Sequence, residues 1–316
     1  MTKRVAIFLS GGGSNMRALV EDMTGDHPAR PCVVVSNVAD AGGIAWAKER
    51  GIPTEVVDHK PFAGDRAAFE NELTARLMPH APDIICLAGF MRKLTGGFTD
   101  AWAGRMINIH PSLLPMYRGP SPVVTAILDG QRQTGVTVML LDEGMDTGPV
   151  LAQSPPIVLT GKERAGELQG RLFEEGASML PAVLDGLEDV TIVATPQDDS
   201  KATVTRLIAR SDGEIDWSLP AEQIDRMIRA YDPWPGTFTS WNDKGLKILD
   251  VNLSGRIDAV DDSGRVIVNG GKLFVGSGSG PLEITRLQLE GRQGVSASDF
   301  LRGRPDIDDA VLGVLS

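Results

Sequence analysis

Only two cysteines, Cys32 and Cys86, occur in 316 residues, and both sit in apolar, strand-like runs. That suits buried free thiols and excludes a disulfide framework. Histidine is also scarce: His27, His59, His80 and His110 show no metal-ligand spacing, so no metal site is expected. No apolar run approaches the ~18 residues of a membrane-crossing helix, and the glycine loop at 11–13 precedes any small-residue cleavage site. A cytoplasmic chain without a membrane segment is therefore expected. Positive charge is in deficit, with 31 Lys and Arg against 42 Asp and Glu for a net charge of −11. Residues 1–199 carry 17 basic and 25 acidic side chains and residues 200–316 carry 14 and 17, so neither half is basic. A non-specific nucleic-acid binder needs clustered cations, and any RNA contact here must rest on a local patch.

The chain that remains is long for one domain, and its 42% hydrophobic and 23% charged residues are ordinary for a globular protein. Its first part alternates apolar strand-like runs with helical patterns: Val5–Leu9, Cys32–Val35, Pro53–Val57 and Ile84–Leu87, with helices over Gly43–Arg50 and Asp65–Met78 between them. Continuous apolar strands alternating with helices predict an α/β, Rossmann-like, mostly parallel sheet covered on both faces. A polar, aperiodic break follows near Val193–Ser200, and beyond it short strand-like runs recur between Gly and Asp turns, which suggests a small β-barrel. The expected domains are 1–194, a linker at 195–205, and 206–316.

Two stretches carry chemistry. After the first strand, Gly12, Gly13, Ser14 and Asn15 lead into a helix, a place where backbone N–H groups can hold a phosphate. The loop lacks both the Walker ending and a full dinucleotide fingerprint, so a mere tight turn is the competing reading. The second stretch runs from Met106 to Pro115. Asn108 and His110 are two apart, hence on one side of a strand, and Pro111 and Pro115 stiffen the exit. A later loop, Asp142–Pro149, can bring a carboxylate to the imidazole. Taken alone, His110 reads as a hydrogen-bonded structural histidine, Asp146 as a loop carboxylate, and Ser112 as a support for the turn.

Asn108, the His-Pro-Ser-Leu-Leu-Pro run from His110 to Pro115, and Asp146 in Asp-Thr-Gly together resemble the signature of the folate-dependent formyltransferases. The resemblance implies that Asn108, His110 and Asp146 are catalytic and that 10-formyltetrahydrofolate is the co-substrate. Gly89–Leu94 resembles the segment lining the folate pocket, and the resemblance implies that the pterin is held mainly by backbone groups near Met91, Arg92 and Leu94 and in the loop around Asp142 to Asp146. Its competing reading is a strand end with a solvated Arg-Lys pair.

Over about 1–115 the likeness is to glycinamide ribonucleotide transformylases, which implies a phosphorylated acceptor at Gly12, Gly13, Ser14 and Asn15. The Gly-Leu-His-Thr-His type of segment usual in those enzymes is absent after the turn. Over about 118–316, including Ile215-Asp216-Trp217 and Pro233-Trp234-Pro235, the likeness is to methionyl-tRNA formyltransferases with their oligonucleotide-binding-like C-terminal barrel. The basic insertion usual there after the second strand is missing at Ser36–Gly43. Initiator methionyl-tRNA is the favoured acceptor, because an added barrel has no evident use for a small ribonucleotide. Glycinamide ribonucleotide, a sugar-nucleotide amine, or an inactive folate- or RNA-binding role are the alternatives.

Overall fold

The computed structural model describes residues 2–62, 64–253 and 262–313. Residues 1 and 63 of the expected catalytic domain, and 254–261 and 314–316 of the expected barrel domain, lie outside the described residues. In order the chain forms β1 (Lys3–Leu9), α1 (Ser14–Asp22), β2 (Ala29–Ser36), α2 (Gly42–Glu49), β3 (Thr54–Val56), α3 (Arg66–Leu77), β4 (Ile84–Leu87), α4 (Gly96–Ala101) and β5 (Met106–His110). Next come α5 (Pro122–Leu128), β6 (Gln133–Thr134), β7 (Thr137–Leu140), β8 (Val150–Gln153), β9 (Ile157–Val158) and α6 (Ala165–Glu188). It ends with α7 (Ala221–Ala230), β10 (Thr237–Trp241), β11 (Lys244–Asn252), β12 (Val266–Asn269), β13 (Lys272–Ser277), β14 (Gly280–Leu289), β15 (Val295–Ser296) and α8 (Ala297–Gly303). Two compact units result, one of Met1–Pro122, Gln133–Val158 and Leu168–Arg206, the other of Val123–Arg132, Leu159–Glu167 and Leu207–Ser316.

The first unit is built on a seven-stranded sheet in the order β3-β2-β1-β4-β5-β7-β8. Val5 to Leu9 are wholly buried, so both faces of β1 are covered, which is why its sequence does not alternate. Ala6 and Phe8 pack with Val33, Val35, Ile85 and, from α3, Phe69, Leu73 and Leu77. The helix spacing of those three places them on one face, and Asp65 caps α3 by accepting from the Ala68 amide at 2.9 Å. The five strands up to β5 are parallel, whereas at one edge β7 runs antiparallel to β5 and β8 turns back antiparallel to β7. The link 141–149 is too short for the dozen-residue crossover that a parallel neighbour needs.

This order places the site. The chain builds outward from β1 to β3 and then returns to the other side of β1 with β4, so a topological switch point falls between β1 and β4. Ligands of open α/β sheets bind at the carboxyl ends of the strands beside such a point. Registers Phe8↔Leu87 and Leu87↔Asn108 bring the ends of β1, β4 and β5 level.

The second unit holds an antiparallel sheet in the order β10-β11-β14-β13-β12, with β15 on β14. Asn242 and Asp243, at φ 48° and 58°, turn β10 into β11, and Gly270 and Gly271, at 58° and 76°, turn β12 into β13. Positive φ at both central residues is the hairpin turn that matches strand twist. Trp217, Ile224, Ile228, Trp241, Leu246 and Phe300 are among its core residues.

Among the described residues no helix is long and apolar enough to cross a membrane, and no group of three or more His, Cys, Asp or Glu could hold a metal ion. Both cysteines are buried and unpaired. Burial pushes the Cys86 thiol up to about 12, which leaves it protonated and inert at neutral pH.

Candidate active site

β5 is an internal strand, and its end delivers two polar groups to one carboxylate. Asn108 Nδ2 donates to Asp146 Oδ1 at 3.3 Å, and His110 Nδ1 lies 3.6 Å from Asp146 Oδ2. His110 is 4% exposed, and its Nε2 is 2.8 Å from the Tyr117 carbonyl. A carbonyl only accepts, so Nε2 carries a hydrogen and Nδ1 is the ring nitrogen turned toward Asp146. The imidazole is thereby fixed in tautomer and orientation. A second proton, taken up at Nδ1, lands beside a carboxylate.

The turn after β5 is held from within. The Ser112 hydroxyl donates to the Met116 carbonyl at 2.6 Å, so it serves the turn. The Thr137 hydroxyl donates to the Ser112 carbonyl at 2.7 Å and accepts from the Leu114 amide at 3.0 Å.

Asp146 stands in the loop between β7 and β8 with φ 54°, in the left-handed region. Asp142 organises the same loop, accepting from the Gly144 amide at 2.9 Å and the Thr147 hydroxyl at 2.7 Å. The Gly119 amide donates to Asp146 Oδ2 at 2.8 Å, so both carboxylate oxygens are engaged. The stretch expected as a linker packs here too: Arg118 forms a parallel bridge with Val204, its amide donating to Thr203 O at 2.9 Å and its carbonyl accepting from the Thr205 amide at 2.7 Å.

Gly119 has φ 102°, and a Cβ there would stand 2.8 Å from the Thr205 carbonyl oxygen. Gly119→Ala is expected to cost about 1–3 kcal/mol, from left-handed strain plus a clash with backbone that cannot swing away. Denaturant titration reads this, and an unchanged midpoint would contradict it.

The other sequence-predicted residues divide. Gly12 has no heavy atom within 4 Å of where a side chain would begin, and its carbonyl accepts from Arg17 Nη2 at 3.4 Å. Gly13, at φ 78°, caps α1, and a Cβ there would stand 2.6 Å from the Gly43 Cα. Ser14 is exposed; Asn15 is buried with its amide against Gly89. The Ser10 amide donates to the Gly89 carbonyl at 3.0 Å and the Met91 amide to the Ser10 hydroxyl at 2.7 Å. The glycine loop and the segment after β4 are thus one hydrogen-bonded assembly.

Met91 is 64% exposed, whereas Leu94 buries its side chain among Phe69, Phe90 and Phe98 and offers a ligand only backbone. Arg92 lines a cavity of about 200 Å³ with His59, Arg66, Lys93, Phe62 and Phe69. Asn108, His110 and Asp146 therefore meet directly, while the glycine loop and residues 91–94 occupy neighbouring strand ends. Sequence reasoning missed Arg118, Gly119, Gln197, Thr203 and Thr205. Of these only Gly119, between Arg118 and Pro120, carries a turn signal.

Residues 3–184 match a family model described as formyl transferase, and residues 207–305 match one described as formyl transferase, C-terminal domain. A methionyl-tRNA formyltransferase of Herpetosiphon aurantiacus is 38% identical over 273 residues, 86% of each chain. One of Chloroflexus aurantiacus is 47% identical over 199 residues, 62% of this chain and 64% of the relative, so the match spans somewhat less than two thirds of that relative's length. A solved phosphoribosylglycinamide formyltransferase of Brucella melitensis is 38% identical with a TM-score of 0.54, covering 62% of this chain and all of its own.

Proposed function

The chain belongs to the formyl transferase family, and from that premise we propose that it transfers a formyl group from 10-formyltetrahydrofolate to the amino group of methionyl-tRNA in the cytoplasm. The observation that carries the chemistry is the meeting of Asn108, His110 and Asp146 at the end of an internal strand. Attack of an amine on a formyl carbon forms a C–N bond and leaves a tetrahedral carbon bearing a negative oxygen. The Asn108 amide and a proton on His110 Nδ1 are the donors for that oxygen. Asp146 accepts the proton lost by the attacking nitrogen. Collapse of the intermediate breaks the bond to the folate nitrogen, which takes up a proton as it leaves.

The folate would lie along residues 91–94 and the loop from Asp142 to Asp146, held mostly by backbone groups. Arg66, Arg92 and Lys93, against one carboxylate at Asp65, line the cavity beside Arg92 and suit carboxylates on such a molecule. In this reading 1–194 form the catalytic domain, 195–205 connect, and 206–316 form the domain that meets tRNA. What supports methionyl-tRNA is a relative of that name matched along 86% of the chain, with a second of that name matched along 62%.

One observation favours the ribonucleotide as a second reading: the open glycine backbone at the start of α1 suits a phosphate. The test is formyl transfer to charged initiator tRNA and, separately, to glycinamide ribonucleotide at equal enzyme concentration. Transfer to the tRNA alone is expected. Transfer to the ribonucleotide alone would replace the proposed acceptor.

A further inference from the structure

We infer that Gln197, in the stretch between the two family-matched segments, is a positioning residue for Asp146. The inference rests on the reading of Asp146 as the group that takes the proton. Gln197 Nε2 donates to the carbonyls of both Asp146 and Gly148, each at 2.8 Å. Both hydrogens of one amide are therefore spent on two carbonyls of the loop that carries the carboxylate. Those bonds grip the backbone where Asp146 takes its left-handed conformation.

The amide has only one workable orientation. Gln197 Oε1 accepts from Arg118 Nε at 2.9 Å and Nη2 at 2.8 Å. Turned over, it would set its NH2 against a guanidinium and its oxygen against two carbonyls. Arg118 is itself fixed: it is 6% exposed, and its backbone is laddered to Thr203 and Thr205. Its neighbour Gly119 donates to the Asp146 carboxylate. Arg118 thus governs both ends of the same residue, the carboxylate through Gly119 and the backbone through Gln197.

The remaining contacts do not replace this grip. Asp199 pairs with Arg118 Nη2 at 2.8 Å, but its side chain is 82% exposed, and such a pair contributes little. The Ser200 hydroxyl holds the Asp198 carboxyl below the usual carboxylate range, shaping the turn that follows Gln197. His110 faces a carboxylate whose loop is organised from within by Asp142 and gripped at the Asp146 backbone by the Gln197 amide.

The test uses the full chain. Gln197→Glu keeps the size and the bond to Arg118 but turns a donor to two carbonyls into an acceptor. It is expected to lower kcat per folded molecule by about ten- to a hundredfold, the scale of misplacing a catalytic group by about an ångström, with KM for the amine acceptor held, a smaller rise in the folate KM and a lowered thermal midpoint. Gln197→Asn adds no charge, cannot span both ends, and is expected to lose kcat likewise. Wild-type kcat in both variants, or a loss matched by lost folded protein, would overturn the inference. Asp146→Asn is measured alongside. If it loses activity while the Gln197 variants do not, only this inference falls; if it too keeps full activity, the reading of Asp146 falls with it.

Discussion

Replacing His110 with alanine is expected to lower kcat for formyl transfer by about two to four powers of ten, the usual contribution of a positioned acid or base. The imidazole is 4% exposed, its Nε2 is committed to the Tyr117 carbonyl, and Nδ1 is the one position from which it can give or take a proton near Asp146. Alanine also removes the His110 donor from the Tyr117 carbonyl, a structural change separate from the chemistry. His110→Gln separates the two effects, because its amide can donate to that carbonyl yet cannot carry a proton at neutral pH. Equal losses in both variants, with the folate Kd unchanged, place the effect on chemistry. Wild-type rates in either would remove His110 from the mechanism.

The second large effect is expected at Asn108. Its amide is aimed by the Asp146 carboxylate at 3.3 Å and stands on a strand hydrogen-bonded on both sides, so it reaches the transition state already oriented. Loss of one such donor costs about 3 to 4 kcal/mol of transition-state stabilisation, or about 10² to 10³ in kcat. Asn108→Ala should show that loss in single-turnover rate with little change in KM, because the bond matters only once negative charge develops. A rise in KM with kcat intact would make Asn108 a binding group instead.

The parallel half of the first sheet was legible in the sequence because Val5–Leu9, Cys32–Val35 and Ile84–Leu87 are apolar on both faces, and only a doubly covered sheet asks for that. The antiparallel direction of β7 was not, since an apolar run carries no sign of its direction; the short link 141–149 hinted only that β8 reverses against β7. β10, Thr237–Trp241, follows directly on Pro233-Trp234-Pro235-Gly236, where turn residues mask a strand in the sequence.

At the site, Asn108 and His110 were readable as a pair from their period-two spacing, and Asp146 from its loop and from family likeness. The bracing was hidden. Arg118 and Gln197 lie 79 residues apart and Arg118 and Asp199 lie 81 apart, joined by side-chain hydrogen bonds that leave no periodic trace. Val193–Ser200 looked like a linker because its polar residues satisfy loop backbone instead of filling a core. Leu94 was expected to offer the folate its backbone, and its side chain lies in the core.

The central claim is that the carboxylate shared by Asn108 and His110 drives transfer. The most direct measurement is single-turnover formyl transfer from 10-formyltetrahydrofolate to methionyl-tRNA by the wild-type chain and by Asp146→Asn, with the folate Kd measured on each. The account predicts rapid transfer by the wild type and a loss of about two powers of ten or more in the variant at unchanged Kd. Equal rates in the two proteins would contradict it.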